Sequence, residues 1–256
     1  MILTPRAEAL TEPVRNLLLR TEAVLKPNLD FCPETSKRIF RIMVSDYGAS
    51  VVLGSVLPEL KRRAPGIGLD VWPLPDDSAA ALERGEVDFL IGPTQITSAG
   101  HPRENLYTDH YVCMVWSGNP LVGDAFSVEQ YLQMRHAIVR LGPHRKPAID
   151  EEWLTEAGYH RPVELAVSSF LLLPQMIIGT NLVATVHGRM ATSSAFHLPL
   201  KILPMPIEIP PLAIDMQWHQ IHGVDPGICW LRRILKERVE PAPGAARSLE
   251  MESSPA

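Results

Sequence analysis

Four short segments rich in hydroxyl, carboxylate and aromatic side chains lie where predicted strands end. They are Ser45-Asp46-Tyr47, Pro93-Thr94-Gln95, Gly142-Pro143-His144 and Ser168-Ser169-Phe170. In open α/β sheets, ligands bind beyond the carboxyl ends of strands, beside the N-termini of the following helices. Hydroxyl groups, an imidazole and ring faces together suit a small, flat and partly polar ligand. The sequence therefore predicts a binding site whose candidate contacts are Ser45, Asp46, Tyr47, Pro93, His144, Ser169 and Phe170, with Thr185 on a further strand.

Helix capping is the alternative explanation for the polar members of these segments. Ser45 or Asp46, and Ser168 or Ser169, could instead accept hydrogen bonds from the first N–H groups of the helices that follow. Capping and ligand binding both place these side chains at helix N-termini, so both explanations remain open at the level of sequence.

The remaining chemical groups do not form a catalytic set. Gly66-Ile67-Gly68 lacks the third glycine of a dinucleotide site and follows a helix rather than a strand. His219 and His222 have no third metal ligand nearby in sequence and are typical of loop or cap histidines, while Asp150-Glu151-Glu152 reads as a solvated first helical turn. We expect neither an enzyme, nor a metal site, nor a cofactor.

Composition indicates a globular chain with a sizeable core. Of the 256 residues, 46% are hydrophobic and 21% are charged, and the net charge is −5. A chain that binds nucleic acid by itself usually has a basic surface, and this negative net charge does not indicate one. The three cysteines form no metal or CxxC spacing, and the chain shows neither a membrane span nor a secretory signal at its start, so we expect a cytoplasmic protein.

The elements that must position the candidate residues alternate between strand and helix, which favours parallel sheets with helical crossovers. The number of elements suggests two α/β lobes, with 111–116 and 212–218 as strands that cross between them. A Pro-rich stretch, 199–211, is expected to be irregular. The predicted strands are 39–44, 69–74, 87–91, 111–116, 136–141, 163–167, 182–186 and 212–218, and the predicted helices are 49–63, 76–84, 127–134, 148–157, 171–178 and 225–239.

The first 26 residues predict a helix with a heptad seam. Ala7, Leu10, Val14 and Leu17 recur at spacings of three and four, as in a coiled-coil dimer. An amphipathic helix packed on its own domain is the alternative, and Pro13 should kink the helix.

Several segments together resemble the effector-binding domain of the LysR-type transcriptional regulators. The match is carried by Leu57-Pro58-Glu59-Leu60, by Pro65 with the strand at Leu69, and by Gly85-Glu86-Val87-Asp88. The segments 41–47, 111–114, 213–219 and 225–232 look like the branch that holds the nodulation regulators and the sensors of salicylate, nitrotoluene and chlorophenol degradation. The start, Leu3 to Leu10, resembles the point where the family's winged helix-turn-helix passes into its linker helix.

The resemblance implies a two-lobed fold of the type II periplasmic-binding-protein kind, with a small aromatic inducer in the cleft. It also implies a homodimer or homotetramer, and DNA binding only through a winged helix-turn-helix that these residues do not include. The expected organisation is a dimerisation helix at 1–26, a hinge linker at 27–38, lobe I at 39–113 and 218–239, lobe II at 114–217 and a tail at 240–256. Two other classes stay open: a solute-binding protein for transport, and an enzyme acting on aromatic compounds.

Overall fold

A computed structural model describes residues 4–25, 31–125 and 127–239. The first helix, α1, spans Pro5–Leu25 and begins where the Oγ1 of Thr4 accepts a hydrogen bond from the N–H of Ala7 at 3.3 Å. The helix continues through Pro13 and packs against a short turn, Gln220–His222. The expected tail at 240–256 and the part of the expected linker at 26–30 lie outside the described residues.

The first sheet forms the centre of lobe I. Its strand order is β2-β1-β3-β11-β4, with β1, β2 and β3 parallel and β11 antiparallel to both of its neighbours. A single helical segment, α2, follows β1 as Asp46–Gly48, a π-helical turn at Ala49–Leu53 and Gly54–Arg63. The other elements are β1 (Ile39–Val44), β2 (Gly68–Trp72), α3 (Ser78–Glu83), β3 (Phe89–Pro93), β4 (Arg103–Asp109), β11 (Leu212–Gln217) and α8 (Pro226–Arg238).

The second sheet forms the centre of lobe II. Its strand order is β10-β5-β9-β6-β7, and β8 pairs with β6 in addition. The elements are β5 (Tyr111–Trp116), α4 (Val128–Gln133), β6 (His136–Leu141), β7 (Lys146–Pro147), α5 (Ile149–Glu156), β8 (Val163–Val167), α6 (Leu173–Met176), β9 (Val183–His187), α7 (Gly188–His197) and β10 (Leu200–Pro204).

The chain crosses between the lobes twice. On the outward crossing only His110 separates β4 in the first sheet from β5 in the second, and on the return 205–211 join β10 to β11. The boundaries expected from sequence, 113/114 and 217/218, differ from this arrangement, because Tyr111–Trp116 pairs wholly within the second sheet and Leu212–Gln217 wholly within the first. Each predicted crossing strand therefore lies on one side of a crossing.

Four elements were not predicted from the sequence, of which β7 is a two-residue strand that follows the turn carrying His144. β4 is a polar strand at the edge of its sheet in which Leu106, Tyr107 and Asp109 are buried, so it lacks the regular alternation of a half-buried strand. β10 lies inside the Pro-rich stretch, where Pro204 is tolerated because β10 is an edge strand. α7 begins directly after β9, without a loop to separate the two elements.

Apolar side chains of the central strands form the core of each lobe. Phe40, Ile42 and Phe89 are fully buried in the first sheet, and Cys113, Val115 and Val183 are fully buried in the second. Within the described part of the chain, no helix is both long and apolar enough to cross a membrane.

Candidate ligand-binding site

A cavity of about 390 Å³ lies between the two lobes. Its lobe I wall comes from the ends of β1 and β3 and from the segment that leads into α3, and its lobe II wall comes from β7, the start of α5 and the ends of β5 and β9. The wall residues with polar or aromatic side chains are Ser45, Tyr47, Asp76, Asp77, Ser78, Gln95, Tyr111, Lys146, Asp150, Glu152, Phe170 and His187.

The first turn of α2 brings Ser45 and Tyr47 to the cavity. Ser45 is the N-cap of the helix, with extended backbone and an Oγ that accepts a hydrogen bond from the N–H of Gly48 at 3.1 Å. The hydroxyl oxygen is therefore used for capping, while its proton remains available as a donor. Ser45 both caps the helix and lines the cavity, so the two explanations that the sequence left open are compatible.

Aromatic rings from both lobes meet at the floor of the cavity. The ring of Tyr47 stacks on the imidazole of His187, with 4.1 Å between centroids and an interplanar angle of 6°. Phe170 lies edge-on to both rings, at 6.2 Å from Tyr47 and 5.0 Å from His187, and Tyr111 lies 5.3 Å from His187. These four rings offer an apolar, flat surface to a ligand.

The hydroxyl of Tyr47 is tied to the outward crossing between the lobes. It donates a hydrogen bond to Asp109, the last residue of β4, which is only 2% exposed. The same carboxylate accepts hydrogen bonds from the N–H groups of His110 at 2.8 Å and of Arg189 at 3.3 Å. Burial, together with the nearby Tyr107 and Asp109, raises the pKa of Tyr47, so Tyr47 is a neutral phenol that donates to the carboxylate of Asp109.

His187 has a neutral imidazole with an unsatisfied nitrogen. Burial lowers the pKa of His187 to about 4, against the opposing influence of the Asp109, Asp150 and Asp46 carboxylates. Its buried Nδ1 has no hydrogen-bond partner among the described residues. A buried polar atom without a partner is rare in folded proteins.

Two pairs of contacts hold the lobes together beside the cavity. In the first, Asp46 of lobe I accepts hydrogen bonds from the Oγ of Ser169 at 2.5 Å and from the N–H of Leu171 at 3.1 Å. In the second, Asp76 of lobe I pairs with His144, and the ammonium of Lys146 donates to its carbonyl oxygen at 3.3 Å.

The turn that carries His144 comes very close to lobe I. Gly142 in this turn has a φ of +66°, and a Cβ at this position would lie 2.5 Å from the Oδ1 of Asp76. Glycine is therefore required here both for its backbone conformation and for the close approach of the two lobes.

A buried ion pair supports the lobe II wall. Asp150 lines the cavity and accepts a hydrogen bond from Arg161 at 2.7 Å, with side-chain exposures of 10% and 4%. Arg161 also donates to Tyr131 at 2.7 Å and to Thr185 at 2.8 Å. Burial disfavours the guanidinium charge, but Asp150 outweighs it and raises the pKa of Arg161. The first turn of α5 is thus partly buried and paired, which differs from the solvated turn expected from sequence.

The structure separates the eight predicted contact residues into three groups. Ser45, Tyr47, Pro93 and Phe170 line the cavity. Asp46, Ser169 and His144 form the contacts between the lobes. Thr185 points into lobe II, where it bonds Tyr131 at 2.6 Å and Arg161, so it does not reach the cavity. For all eight, contact with a ligand stays a prediction.

His187, Tyr111 and Asp150 are wall residues that the sequence analysis did not select. His187 directly follows the predicted strand at 182–186, so the rule that selected Ser45 after β1 would also have found it. Tyr111 is the register partner of His187 across β5 and β9. The sequence alone does not show that β5 and β9 are paired, so it could not predict that Tyr111 lies beside His187.

The described residues contain no group of three or more His, Cys, Asp or Glu side chains suited to hold a metal ion. His219 accepts a hydrogen bond from the N–H of Ile221 at 3.2 Å and caps the 220–222 turn, and its ring lies 5.9 Å from that of His222. The pair acts as the turn and cap histidines that the sequence favoured.

The comparisons with known proteins all indicate the same family. A family model described as the LysR substrate binding domain matches residues 34–240. The chain is 39% identical over 232 residues to nodulation protein D 2 of Rhizobium tropici, covering 91% of this chain and 74% of that protein. It is 36% identical over 248 residues to nodulation protein D 1 of Mesorhizobium japonicum, covering 96% and 79%.

Solved structures share the fold. A probable transcriptional regulator of Pseudomonas aeruginosa superimposes with a TM-score of 0.78 at 26% identity, covering 92% of this chain and 78% of that chain. The effector binding domain of BenM with its effector benzoate superimposes with a TM-score of 0.63 at 12% identity, covering 86% and 97%. The latter likeness concerns the fold alone.

Proposed function

Because this chain belongs to the LysR-type family of transcriptional regulators, we propose that it senses a small aromatic inducer in the cavity between its lobes. The chain is the effector-binding portion of such a regulator, and its relatives are regulators rather than enzymes. The candidate inducers are phenolic or salicylate-like compounds, chlorophenols and flavonoids.

The observation that carries the proposal is the convergence of aromatic rings from both lobes on one cavity. Tyr47 comes from lobe I, and Tyr111, Phe170 and His187 come from lobe II. Pairs of stacked or edge-on rings contribute about 0.5–1.5 kcal/mol beyond the burial of their area. The volume of about 390 Å³ lies within the range of small-molecule sites, which runs from about 300 to 1,000 Å³.

Binding at this position would favour one relative orientation of the lobes. An inducer shifts such an equilibrium only by its differential affinity for the two orientations, typically about 1–3 kcal/mol. LysR regulators act as oligomers that bind DNA. In our proposal α1, which packs on lobe I at the 220–222 turn, pairs with a second copy in a homodimer or homotetramer and transmits the change.

A thermal-shift panel of phenols, chlorophenols, salicylates and flavonoids tests the proposal, combined with one blocking variant and one matched control. Ala79→Trp places a large side chain in the cavity wall. Ala80→Trp makes the same change at the next position of α3, which is not part of the wall. A ligand at one hundred times its dissociation constant should stabilise the parent by about 2.7 kcal/mol.

We expect at least one aromatic compound to stabilise the parent and Ala80→Trp but not Ala79→Trp. If no compound in the panel stabilises the parent, or if the compounds that do so stabilise Ala79→Trp equally, the proposed function is wrong.

A further inference from the structure

Three histidine rings lie together in lobe I, outside the cavity between the lobes. The ring centroid of His219 lies 4.3 Å from that of His101 and 5.9 Å from that of His222, and we refer to these three residues as the histidine cluster. His219 is 3% exposed. Both ring nitrogens of His101 are buried, and neither has a hydrogen-bond partner among the described residues. A buried imidazole with neither nitrogen satisfied is rare in a folded protein.

His219 caps the short turn on which α1 packs. Its Nδ1 accepts a hydrogen bond from the N–H of Ile221 at 3.2 Å, and α1 contacts the 220–222 turn that begins there. An Nδ1 that accepts a hydrogen bond carries no proton, so the ring is neutral and its proton lies on Nε2. If the ring took up a second proton, Nδ1 would become a donor and the hydrogen bond from Ile221 would be lost. The cap therefore exists only while His219 is neutral.

The surroundings of the histidine cluster oppose its protonation while α1 is packed. Burial lowers the pKa of His219 to about 4, and the neighbouring His101 and His222 act in the same direction. Burial also lowers the pKa of His101. Glu83, at the end of α3, favours the charged form of both His101 and His219, and its Oε1 already accepts a hydrogen bond from the Oγ of Ser98 at 2.8 Å.

The elements packed around the histidine cluster carry further charged or titratable groups, each of which interacts with another partner. They are Arg15 of α1, which acts on Glu86, Arg103 of β4, which bonds Thr97, Asp225 before α8, which pairs with Arg38, Cys229 of α8, which bonds the carbonyl of Gly223, and Arg232 of α8, which pairs with Glu104. Of the described residues, Glu83 alone favours a positive charge on His101 or His219.

We propose that the histidine cluster is a proton-binding site that controls whether α1 packs on lobe I. Protonation of the cluster breaks the His219 cap, loosens the 220–222 turn and releases α1. The proposal goes beyond the sensing of an inducer, because it concerns the contact between α1 and lobe I and needs no ligand in the cavity.

Protons favour the released state because water can reach both rings only there. While α1 is packed, a charged His101 would bury N–H donors without acceptors, and a charged His219 would lose its cap. The pKa of His219 is about 4 in the packed state, whereas an exposed histidine titrates near about 6.5. Between these values the released state binds a proton that the packed state does not. Packing is therefore favoured above pH 6.5 and weakens by about tenfold between pH 7.5 and 5.5 for one proton.

Hydrogen–deuterium exchange of the full chain tests the proposal, with EDTA in the buffer and no aromatic compound present. The intrinsic chemical rate at each pH is divided by the observed rate, which gives the protection of residues 5–25 and of residues 219–224. In the parent, both segments should lose about tenfold in protection between pH 7.5 and 5.5. This measurement needs no variant.

His219→Asn is the decisive variant, because the amide oxygen of asparagine can cap the turn but takes up no proton in this pH range. It should keep the protection of both segments at pH 7.5 and remove most of the loss at pH 5.5. His219→Ser, which also retains a cap acceptor, serves the same purpose if His219→Asn does not fold. His136→Gln is the matched control, since His136 is a buried histidine of lobe II whose pKa is also lowered to about 4. It should lose protection in 5–25 as the parent does.

Four results would overturn the proposal. The first two are unchanged protection of α1 in the parent at pH 5.5 and an equal loss in the parent and the His219 variants. The third is a loss in 5–25 without one in 219–224, which would mean that α1 separates from a second helix rather than from the turn. The fourth is a loss that disappears in His136→Gln, which would assign it to global acid unfolding. None of these results bears on binding in the cavity, which the thermal-shift panel decides.

Discussion

The hydroxyl of Tyr47 donates a hydrogen bond to the carboxylate of Asp109, and so joins the cavity floor to the outward crossing between the lobes. Asp109 also accepts from the N–H groups of His110, the single residue between β4 and β5, and Arg189 at the start of α7. One buried carboxylate thus connects lobe I, the crossing and lobe II. A ligand that pressed on the Tyr47 ring would act directly on this junction.

Tyr47→Phe should lower the free energy of unfolding by about 1–3 kcal/mol, because it removes a hydrogen bond from a buried carboxylate. Urea denaturation of parent and variant measures the change. Tyr111→Phe is the matched control: its ring lies in the same aromatic group and burial raises the pKa of its hydroxyl, but Asp109 acts on it only at a distance. Equal losses for the two variants would argue against a special role for the Tyr47–Asp109 bond.

Acidification should lower the free energy of unfolding already at pH values above the range in which carboxylates titrate. Burial lowers the pKa of both His187 and His136 to about 4, whereas an unfolded histidine titrates near 6.5. Between these values the unfolded chain binds protons that the folded chain does not, so stability is present above pH 6.5 and is lost as the pH falls. Each histidine contributes up to about 1.4 kcal/mol per pH unit in this window.

Urea denaturation between pH 7.5 and 5 measures this slope. His187→Phe should reduce it by the contribution of one proton, while the acid-induced loss due to His136 remains. A slope that is the same in parent and His187→Phe would contradict the neutral, buried state of His187.

Arg161→Met should be strongly destabilising because it leaves Asp150 buried without its cation. Loss of one partner of a buried pair costs about 3–5 kcal/mol. The double variant Arg161→Met with Asp150→Asn should recover part of the loss, since no unpaired charge remains. A double-mutant cycle by chemical denaturation measures the coupling, and simple additivity of the two single effects would show that the pair is not coupled.

Most of the secondary structure could be predicted because short runs of mainly apolar residues mark most of the strands in the sequence. β1, β6 and β8 have the bounds expected from sequence, and apolar residues outnumber polar ones in each of them. β4 and β10 could not be predicted because their stability comes from pairing with β11 and β5 rather than from their own composition. The chain crosses between the lobes at the ends of these two strands, so the sequence analysis placed both crossings a few residues away from their positions in the structure.

The candidate site could be predicted only as far as strand ends mark it. Ser45, Tyr47 and Phe170 were found because each lies where a strand stops or a helix begins. Whether such a residue faces the cavity or the opposite lobe depends on how far the lobes close, and no local pattern encodes that. Asp46 and Tyr47 are neighbours in sequence, yet the first contacts Ser169 across the interface and the second lines the cavity.

Ser169→Ala and His144→Ala should weaken inducer binding without removing a wall residue. Both side chains bond lobe I, so their loss lowers the fraction of molecules in the closed arrangement, and the apparent affinity falls with that fraction. We expect a decrease of about two- to fivefold, in keeping with the small contribution of polar pairs near the surface. Thr185→Ser, within lobe II, is the control for calorimetry and should bind like the parent; a loss there equal to that in Ser169→Ala would contradict the mechanism.

The apolar residues of α1 that face outward form a line along one side of the helix. Leu10, Val14 and Leu17 are 50%, 48% and 64% exposed, and together with Ala7 they follow the heptad spacing. The neighbouring Leu18 is 60% exposed but lies off this line. Half-exposed leucines at such spacing are typical of a surface that pairs with a second helix.

We expect Leu17→Glu, alone or with Leu10→Glu, to weaken self-association, because a symmetric contact places each new carboxylate against its own copy in the partner. Sedimentation velocity over a range of concentrations measures the dissociation constant of the oligomer. Leu18→Glu makes the same change at an equally exposed leucine beside the seam, so it should leave association nearly unchanged. If Leu18→Glu is as disruptive as Leu17→Glu, pairing involves a broader face than the heptad line. If neither variant nor the double variant changes the oligomer, association proceeds through the lobes rather than through α1.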